Sequence, residues 1–182
     1  MQASRPTSAA ARGFTLVEIL VVVVIIAILF TITTLSVDRI SEEDHAREEV
    51  QRISALMELA ADRAMIEGGE YGLFVSEQGY RFMRYEGRDI GWLTPEDRAF
   101  RQRPWPEGVR VEMRSEGATV SLESEVDADE ERTPQVLLTA TGEMTPFELN
   151  LRQADEAEGT VLEARMDGRR EVRREGETSD LD

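Results

Sequence analysis

One carboxylate stands within an apolar stretch near the start of the chain. Glu18 is the only charged residue between Phe14 and Val37, where every other side chain is apolar or carries a hydroxyl. In a bilayer, an uncompensated carboxylate costs at least ~2.5 kcal/mol, so Glu18 requires a cationic partner. If the chain is cut before Phe14, the new α-amino group is the nearest cation in sequence. The amine of the same chain or that of a neighbouring copy would meet this requirement.

The apolar stretch is long enough to cross a membrane. As an α-helix, residues 14–37 would reach ~36 Å, which exceeds the ~30 Å hydrocarbon core of a bilayer. Residues 1–13 before it are small and polar, and they hold Arg5 and Arg12 but no acid. Because basic residues favour the cytoplasmic side, the N-terminus is predicted inside and the body outside. A secretory signal peptide has the opposite order, with its apolar segment before the cleavage site. Here a cut is expected before the apolar segment, so that the segment itself is retained.

The same helix is predicted to continue beyond the membrane segment. Apolar residues keep a spacing of three and four positions, and no glycine or proline interrupts residues 14–67. This pattern predicts an amphipathic continuation over residues 38–68 that stops at Gly68-Gly69.

The remaining chain has the pattern of β-strands. Residues 69–175 contain a predicted hairpin, 71–76 with 80–85, and a predicted strand at 119–125. Residues 176–182 are expected to form a flexible tail. The predicted fold class is therefore α+β, with the second half of a long helix laid on antiparallel sheet.

Composition excludes several functions. The chain has 182 residues and a formal net charge of −16, and loss of Arg5 and Arg12 with the leader makes it −18. Nucleic-acid binding is not expected, because a phosphate backbone requires a basic surface. The absence of cysteine excludes disulfides and thiolate metal sites.

No residue pattern predicts catalysis. His45 is the only histidine, and no nucleophile–base constellation accompanies it, so the chain is predicted not to be an enzyme and to need no cofactor. The acidic run at residues 127–131 offers several carboxylates that could bind calcium. It lacks the spacing of an EF-hand loop, so a solvated loop is favoured, and calcium binding stays open as the alternative.

Two motifs resemble those of a known family. The first, Gly13-Phe14-Thr15-Leu16-Val17-Glu18, follows a short basic leader and opens a long apolar segment. It resembles the N-terminal motif of type IV pilin and type II secretion pseudopilin precursors. The second resembles the G-E-x-T-P-F segment of H-type minor pseudopilins and related minor pilins, and its residues here are Gly142, Glu143, Thr145, Pro146 and Phe147.

The resemblance implies a type IV pilin-like fold and a processing step. A prepilin peptidase would cut between Gly13 and Phe14 and methylate the new amino terminus of Phe14. Glu18, as the fifth residue of the mature chain, would attract the terminal amine of the adjacent subunit. The 142–147 segment is interpreted as a fixed turn between strands in preference to a partner contact, because Pro146 restricts the backbone there.

The function that the resemblance implies is structural. The chain would be a single-pass protein of the bacterial inner membrane with residues 69–175 in the periplasm. It would be a minor subunit of the type II secretion pseudopilus, linking the tip complex to the major pseudopilin during export of folded proteins. Its expected partners are the prepilin peptidase, the other minor pseudopilins, the major pseudopilin and the inner membrane.

The sequence leaves two alternative functions open. The nearer is a minor type IV pilin that acts in pilus priming or DNA uptake, since it would share the anchor and the fold. The more distant is a membrane-anchored periplasmic binding module or enzyme.

Overall fold

One long helix leads into two antiparallel sheets. The computed structural model describes residues 16–124 and 132–181, with the backbone alone between 28 and 44. Helix α1 spans Leu16–Glu67 and is followed by Gly68, whose φ of +65° places it in the left-handed region that glycine adopts without strain. The chain divides into two compact units, Met1–Ser41 and Glu42–Asp182, so α1 contributes to both.

No helix among the described residues is long and apolar enough to cross a membrane. The predicted membrane segment 14–37 lies only in part within those residues, because residues 14 and 15 and the side chains from position 28 onward fall outside them.

The first sheet has five strands. Its order is β3-β2-β1-β7, with β4 also pairing to β2. The β1–β2 hairpin is antiparallel, and its register sets Leu73 opposite Phe82 and Phe74 opposite Arg81. The strands are β1 (Tyr71–Val75), β2 (Gly79–Tyr85), β3 (Trp92–Leu93), β4 (Arg103–Pro104) and β7 (Val136–Leu138).

The second sheet also has five strands, in the order β10-β9-β8-β5-β6. Strand β8 alternates strictly between buried and half-buried side chains, as expected of a strand with one face on a core. The strands are β5 (Val109–Ser115), β6 (Ala118–Thr119), β8 (Phe147–Gln153), β9 (Thr160–Ala164) and β10 (Arg170–Arg174). A short 3₁₀ helix, Arg98–Phe100, lies in the connection between β3 and β4.

A single hydrophobic core joins the second half of α1 to both sheets. The helix contributes one stripe at alternating spacings of four and three residues, the period of a helix face turned to a core. Ile53 and Met57 are fully buried at its centre, together with Leu73 of the first sheet and Leu149 of the second. The buried members of the stripe are Ala46, Val50, Ile53, Met57, Ala60 and Ala64.

The predicted strand at residues 119–125 is short in the structure. Strand β6 ends at Thr119, and the following backbone turns away toward the first sheet. There Glu123 forms an isolated parallel bridge with Ser76, and its carbonyl accepts a hydrogen bond of 2.9 Å from the Glu77 N–H. This segment therefore satisfies part of its backbone on the first sheet, which an alternation pattern alone does not reveal.

A carboxylate lies buried between α1 and the first sheet. Glu49 is a carboxylate, yet it is only 5% exposed and directly precedes the fully buried Val50. Its Oε1 accepts a hydrogen bond of 2.5 Å from the hydroxyl of Tyr80, and its other oxygen is ion-paired with Arg52. Burial first, and then the hydrogen bond to Glu49, raise the pKa of Tyr80 far above its usual range. The pairing satisfies a group that would otherwise be strongly destabilising inside the core.

Replacing Tyr80 with phenylalanine tests this contact. At neutral pH the variant should lose about 1–3 kcal/mol of unfolding free energy, because the buried carboxylate loses a donor. Because the folded-state pKa of Tyr80 is raised, the stability that this contact contributes is complete below the unfolded pKa of 10.0 and is lost as the pH rises above it, since the unfolded phenol ionises first. Urea titrations across alkaline pH should therefore show a shallower decline for Tyr80→Phe than for wild type. Tyr85→Phe, outside this contact, is the control, and an equally steep decline in Tyr80→Phe would contradict the assignment.

Candidate functional site

The first candidate element is the start of α1. Glu18 lies in its first described turn, and Gly13 and Phe14 lie outside the described residues. The described side chains from Leu16 to Ala27 are all exposed, and Leu16 reaches 82%. Within this unit, a run of exposed valine and isoleucine surrounds the carboxylate. Exposed apolar surface of this extent is typical of contact with lipid or another protein.

The second candidate element is the 142–147 segment, which lies between β7 and β8. A tight turn opens it: the Gly142 N–H donates to the Thr139 carbonyl at 3.0 Å, and the Thr139 N–H donates to the Glu143 carbonyl at 2.9 Å. Gly142 has a φ of +85°, a conformation that side chains with a Cβ rarely adopt. The Glu143 side chain accepts a weak hydrogen bond of 3.4 Å from the Thr141 hydroxyl. Glycine at position 142 is thus explained by the backbone.

Thr145 forms two hydrogen bonds with the outer strand of the first sheet. Its N–H donates to the Leu137 carbonyl at 3.0 Å, and its hydroxyl accepts from the Leu137 N–H at 3.1 Å. One residue therefore satisfies both backbone groups of Leu137, on the outer strand of that sheet. A hydroxyl is needed at this position because the second bond is made by the side chain.

The next two residues begin the second sheet. The Pro146 carbonyl accepts from the Glu116 N–H at 3.2 Å, at the turn that joins β5 to β6. Phe147 is 3% exposed, belongs to the shared core and pairs with Ser115 and Ala164 on the two flanking strands. The proline thus stands where the chain passes from one sheet to the other.

The same segment also reaches the end of α1. A Cβ placed on Gly142 would lie 3.8 Å from the Met65 sulfur, so the helix side chain rests against this turn. Met144 is 4% exposed, and its N–H donates to the Met166 carbonyl at 3.0 Å. Residues 142–147 therefore connect the helix, the first sheet and the second sheet. We call this segment the sheet junction.

The other residues considered as functional candidates from the sequence form no site within the described residues. His45 is exposed on α1. The acidic run 127–131 lies outside the described residues, and within residues 16–124 and 132–181 no group of His, Cys, Asp and Glu is arranged to hold a metal ion. The burial of Glu49 has no local signal in the sequence, because the residue that binds it, Tyr80, lies 31 residues away.

A long helix packed on antiparallel sheets and exposed apolar residues at its start define the pilin-like class of proteins. Comparison with family models agrees with this class. Residues 8–34 match the prokaryotic N-terminal methylation motif, and residues 49–168 match the type II transport protein GspH.

Individual relatives give the same result. The type II secretion system protein H of Pseudomonas aeruginosa is 31% identical over 163 residues, covering 87% of this chain and 92% of that protein. The corresponding protein of Aeromonas hydrophila is 31% identical over 151 residues, covering 79% and 82%. The crystal structure of the minor pseudopilin EpsH of Vibrio cholerae superposes with a TM-score of 0.63 at 24% identity, over 75% of this chain and 99% of that one.

The chain belongs to the GspH family of type II transport proteins. The resemblance to H-type minor pseudopilins and the α+β, type IV pilin-like fold predicted from the sequence are confirmed. The family is one of structural pseudopilins.

The sheet junction can be tested through Thr145. Thr145→Val keeps the shape of the side chain but removes the acceptor for the Leu137 N–H, so the free energy of unfolding should fall by about 1–2 kcal/mol. Thr119→Val, at an exposed position of β6, is the matched control. Urea denaturation followed by circular dichroism measures both variants. If the two variants lose the same stability, the Thr145 hydroxyl does not contribute in the way described.

Proposed function

We propose that this chain is a minor subunit of the periplasmic pseudopilus of the type II secretion system, linking the tip complex to the major pseudopilin while folded proteins are exported. The observation that carries the proposal is the presence of both motifs in one chain. An N-terminal methylation motif at residues 8–34 precedes a GspH match over residues 49–168. The first is expected of a subunit processed for assembly, and the second assigns the body to the H family.

The first part of α1 supports membrane anchoring before assembly. Its described residues from Leu16 to Ala27 expose apolar side chains, which water solvates poorly. We infer that residues 14–37 cross the inner membrane once, that the continuation 38–68 leaves it, and that the β-rich part, 69–175, lies in the periplasm. Arg5 and Arg12 on the leader favour this orientation.

Processing would follow from the leader motif. Gly13 offers the peptidase a backbone without a side chain, so the scissile bond to Phe14 can be approached closely. Cleavage creates the amino terminus at Phe14, and the peptidase would methylate it. The proposed partners are thus the prepilin peptidase first, and then the other pseudopilins.

The Glu18 carboxylate would favour the assembled fibre over the single subunit in the membrane. Its carboxylate lies among exposed apolar side chains on the described part of the helix. In a bundle of such helices, the α-amino group of an adjacent subunit would compensate this charge in surroundings of low dielectric constant, where ion pairs are strong. The pairing would make the fibre core more favourable than the lipid for a processed subunit.

Processing can be tested at the proposed cleavage site. Gly13→Val should leave the precursor uncut, because the branched side chain blocks approach to the peptide bond, so a chain retaining residues 1–13 should accumulate in membranes. Intact-mass spectrometry measures this, and for wild type it should find a chain beginning at methylated Phe14. Ser8→Val, elsewhere in the leader, should be cut normally. Normal cleavage of Gly13→Val would show that the site lies elsewhere.

Assembly can be tested at Glu18. The variants Glu18→Leu and Glu18→Gln should insert and be cut normally, but their incorporation into the fibre should fall at least tenfold, since the partner's amine would lack its carboxylate. Incorporation is measured by cross-linking to the major subunit in cells. Thr34→Val, a polar residue of the same segment, is the control. Full incorporation of both Glu18 variants would remove the role proposed for this carboxylate.

A further inference from the structure

Strand β10 forms an outer edge of the second sheet, where it pairs only with β9 among the described strands. The pairing fixes the direction of its backbone groups. The Arg165 N–H donates to the Arg169 carbonyl at 3.0 Å, just before the strand begins. Backbone groups of successive residues alternate in direction, so every second residue counted from Arg169 faces β9. Arg170 and Val172 therefore direct their N–H and C=O groups away from the sheet.

This outward edge is closed by the chain itself only at the end of the strand. There the Arg174 N–H donates to the Glu177 carboxylate at 2.9 Å, and the Arg174 carbonyl accepts from the Glu177 N–H at 3.2 Å. Within the described part of the chain, no hydrogen bond reaches the outward backbone groups of Arg170 and Val172. On the first sheet, by contrast, the outer strand β7 is already bonded to Thr145. The edge of β10 can therefore accept a further strand.

The side chains beside this edge are basic, although the chain as a whole has a formal net charge of −16. A cavity of about 100 Å³ next to Val172 is lined by Arg47 of α1, by Arg173 and by Arg174, with Glu177 as the acid of the lining, which makes its formal net charge +2. Arg173 is ion-paired on the other face of the sheet, and the Glu177 carboxylate is bonded to backbone. Within the described residues, the guanidiniums of Arg47 and Arg174 have no ion-pair partner.

The cavity determines which side chains an added strand should carry. Cross-strand partners share a face, so residues that pair with Val172 and Arg174 would point toward Arg47. An Asp or Glu there would form charge-assisted hydrogen bonds with the two guanidiniums. A second copy of β10 does not meet this requirement. Antiparallel pairing centred on Val172 would set Arg170 of one copy opposite Arg174 of the other, and like charges directly opposite are destabilising.

We propose that the outer edge of β10 is a docking site for an extended acidic segment of a different protein, which adds to the second sheet as a further strand. The segment pairs its backbone with Arg170 and Val172, and one of its carboxylates enters the cavity lined by Arg47 and Arg174. In binding of this kind, main-chain hydrogen bonds supply affinity and side-chain pockets supply specificity. The site does not depend on the proposed function, because it is defined by the chemistry of the segment that it binds.

The test uses the full-length chain in micelles of a neutral detergent and a synthetic peptide of alternating glutamate and valine. Amide hydrogen exchange is measured by NMR with and without saturating peptide. Exchange should slow at least tenfold at Arg170 and Val172, because their N–H groups gain acceptors. The same peptide with lysine in place of glutamate is the control, and it should not bind.

The cavity is tested by removing its charges one at a time. Arg47→Gln and Arg174→Gln should each weaken binding of the glutamate peptide about tenfold, since each removes one guanidinium from the cavity. Fluorescence anisotropy of the labelled peptide measures the affinity. Arg101→Gln is the matched control, because Arg101 is exposed at the end of the 3₁₀ helix and outside the cavity, and its affinity should equal that of wild type.

Binding without slowed exchange at Arg170 and Val172 would overturn strand addition, since it would assign the effect to surface charge alone. Equal binding of the lysine peptide, or no binding of the glutamate peptide, would also overturn the site. Slowed exchange at both residues in the chain alone, increasing with protein concentration, would show a second copy on this edge and contradict the choice of partner.

Discussion

The fold depends on the contact between one helix stripe and two sheets. Ile53 and Met57 are fully buried where the inward faces of both sheets meet the second half of α1. Each sheet has one apolar face directed at this helix, and neither face could be covered by the other elements alone. The helix therefore acts as the shared wall of a single core, and the sheets have fixed positions because both pack against it.

This arrangement gives the two parts of α1 different tasks. From Ala46 to Ala64 the apolar side chains are spaced to form one stripe, and they are buried in the core of the same subunit. From Leu16 to Ala27 the apolar side chains run around the helix and stay exposed, so they are available to lipid or to other helices. The sheet junction secures the far end of the same helix, because residues 142–147 contact Met65 and connect the two sheets.

The sequence predicted the elements whose signals are local. The helix follows from its spacing, and the β1–β2 hairpin follows from two short runs around a turn. The structure has a turn at the start of the junction, but the junction's bonds to Leu137 and Met166 depend on strands that meet only in three dimensions. The burial of Glu49 depends on its contact with Tyr80, which lies 31 residues away in the sequence. Division into two sheets likewise depends on which strand edges meet, which alternation does not encode.

The central claim is that this chain is a required structural subunit of a secretion fibre, built into it through its N-terminal helix. The most direct measurement is secretion of folded proteins into the medium by cells that lack the gene and carry a replacement copy. The account predicts periplasmic accumulation in the deletion strain, recovery with the full-length chain, and no recovery with residues 42–182 exported without the helix start. Normal secretion in the deletion strain, or full recovery by residues 42–182, would contradict it.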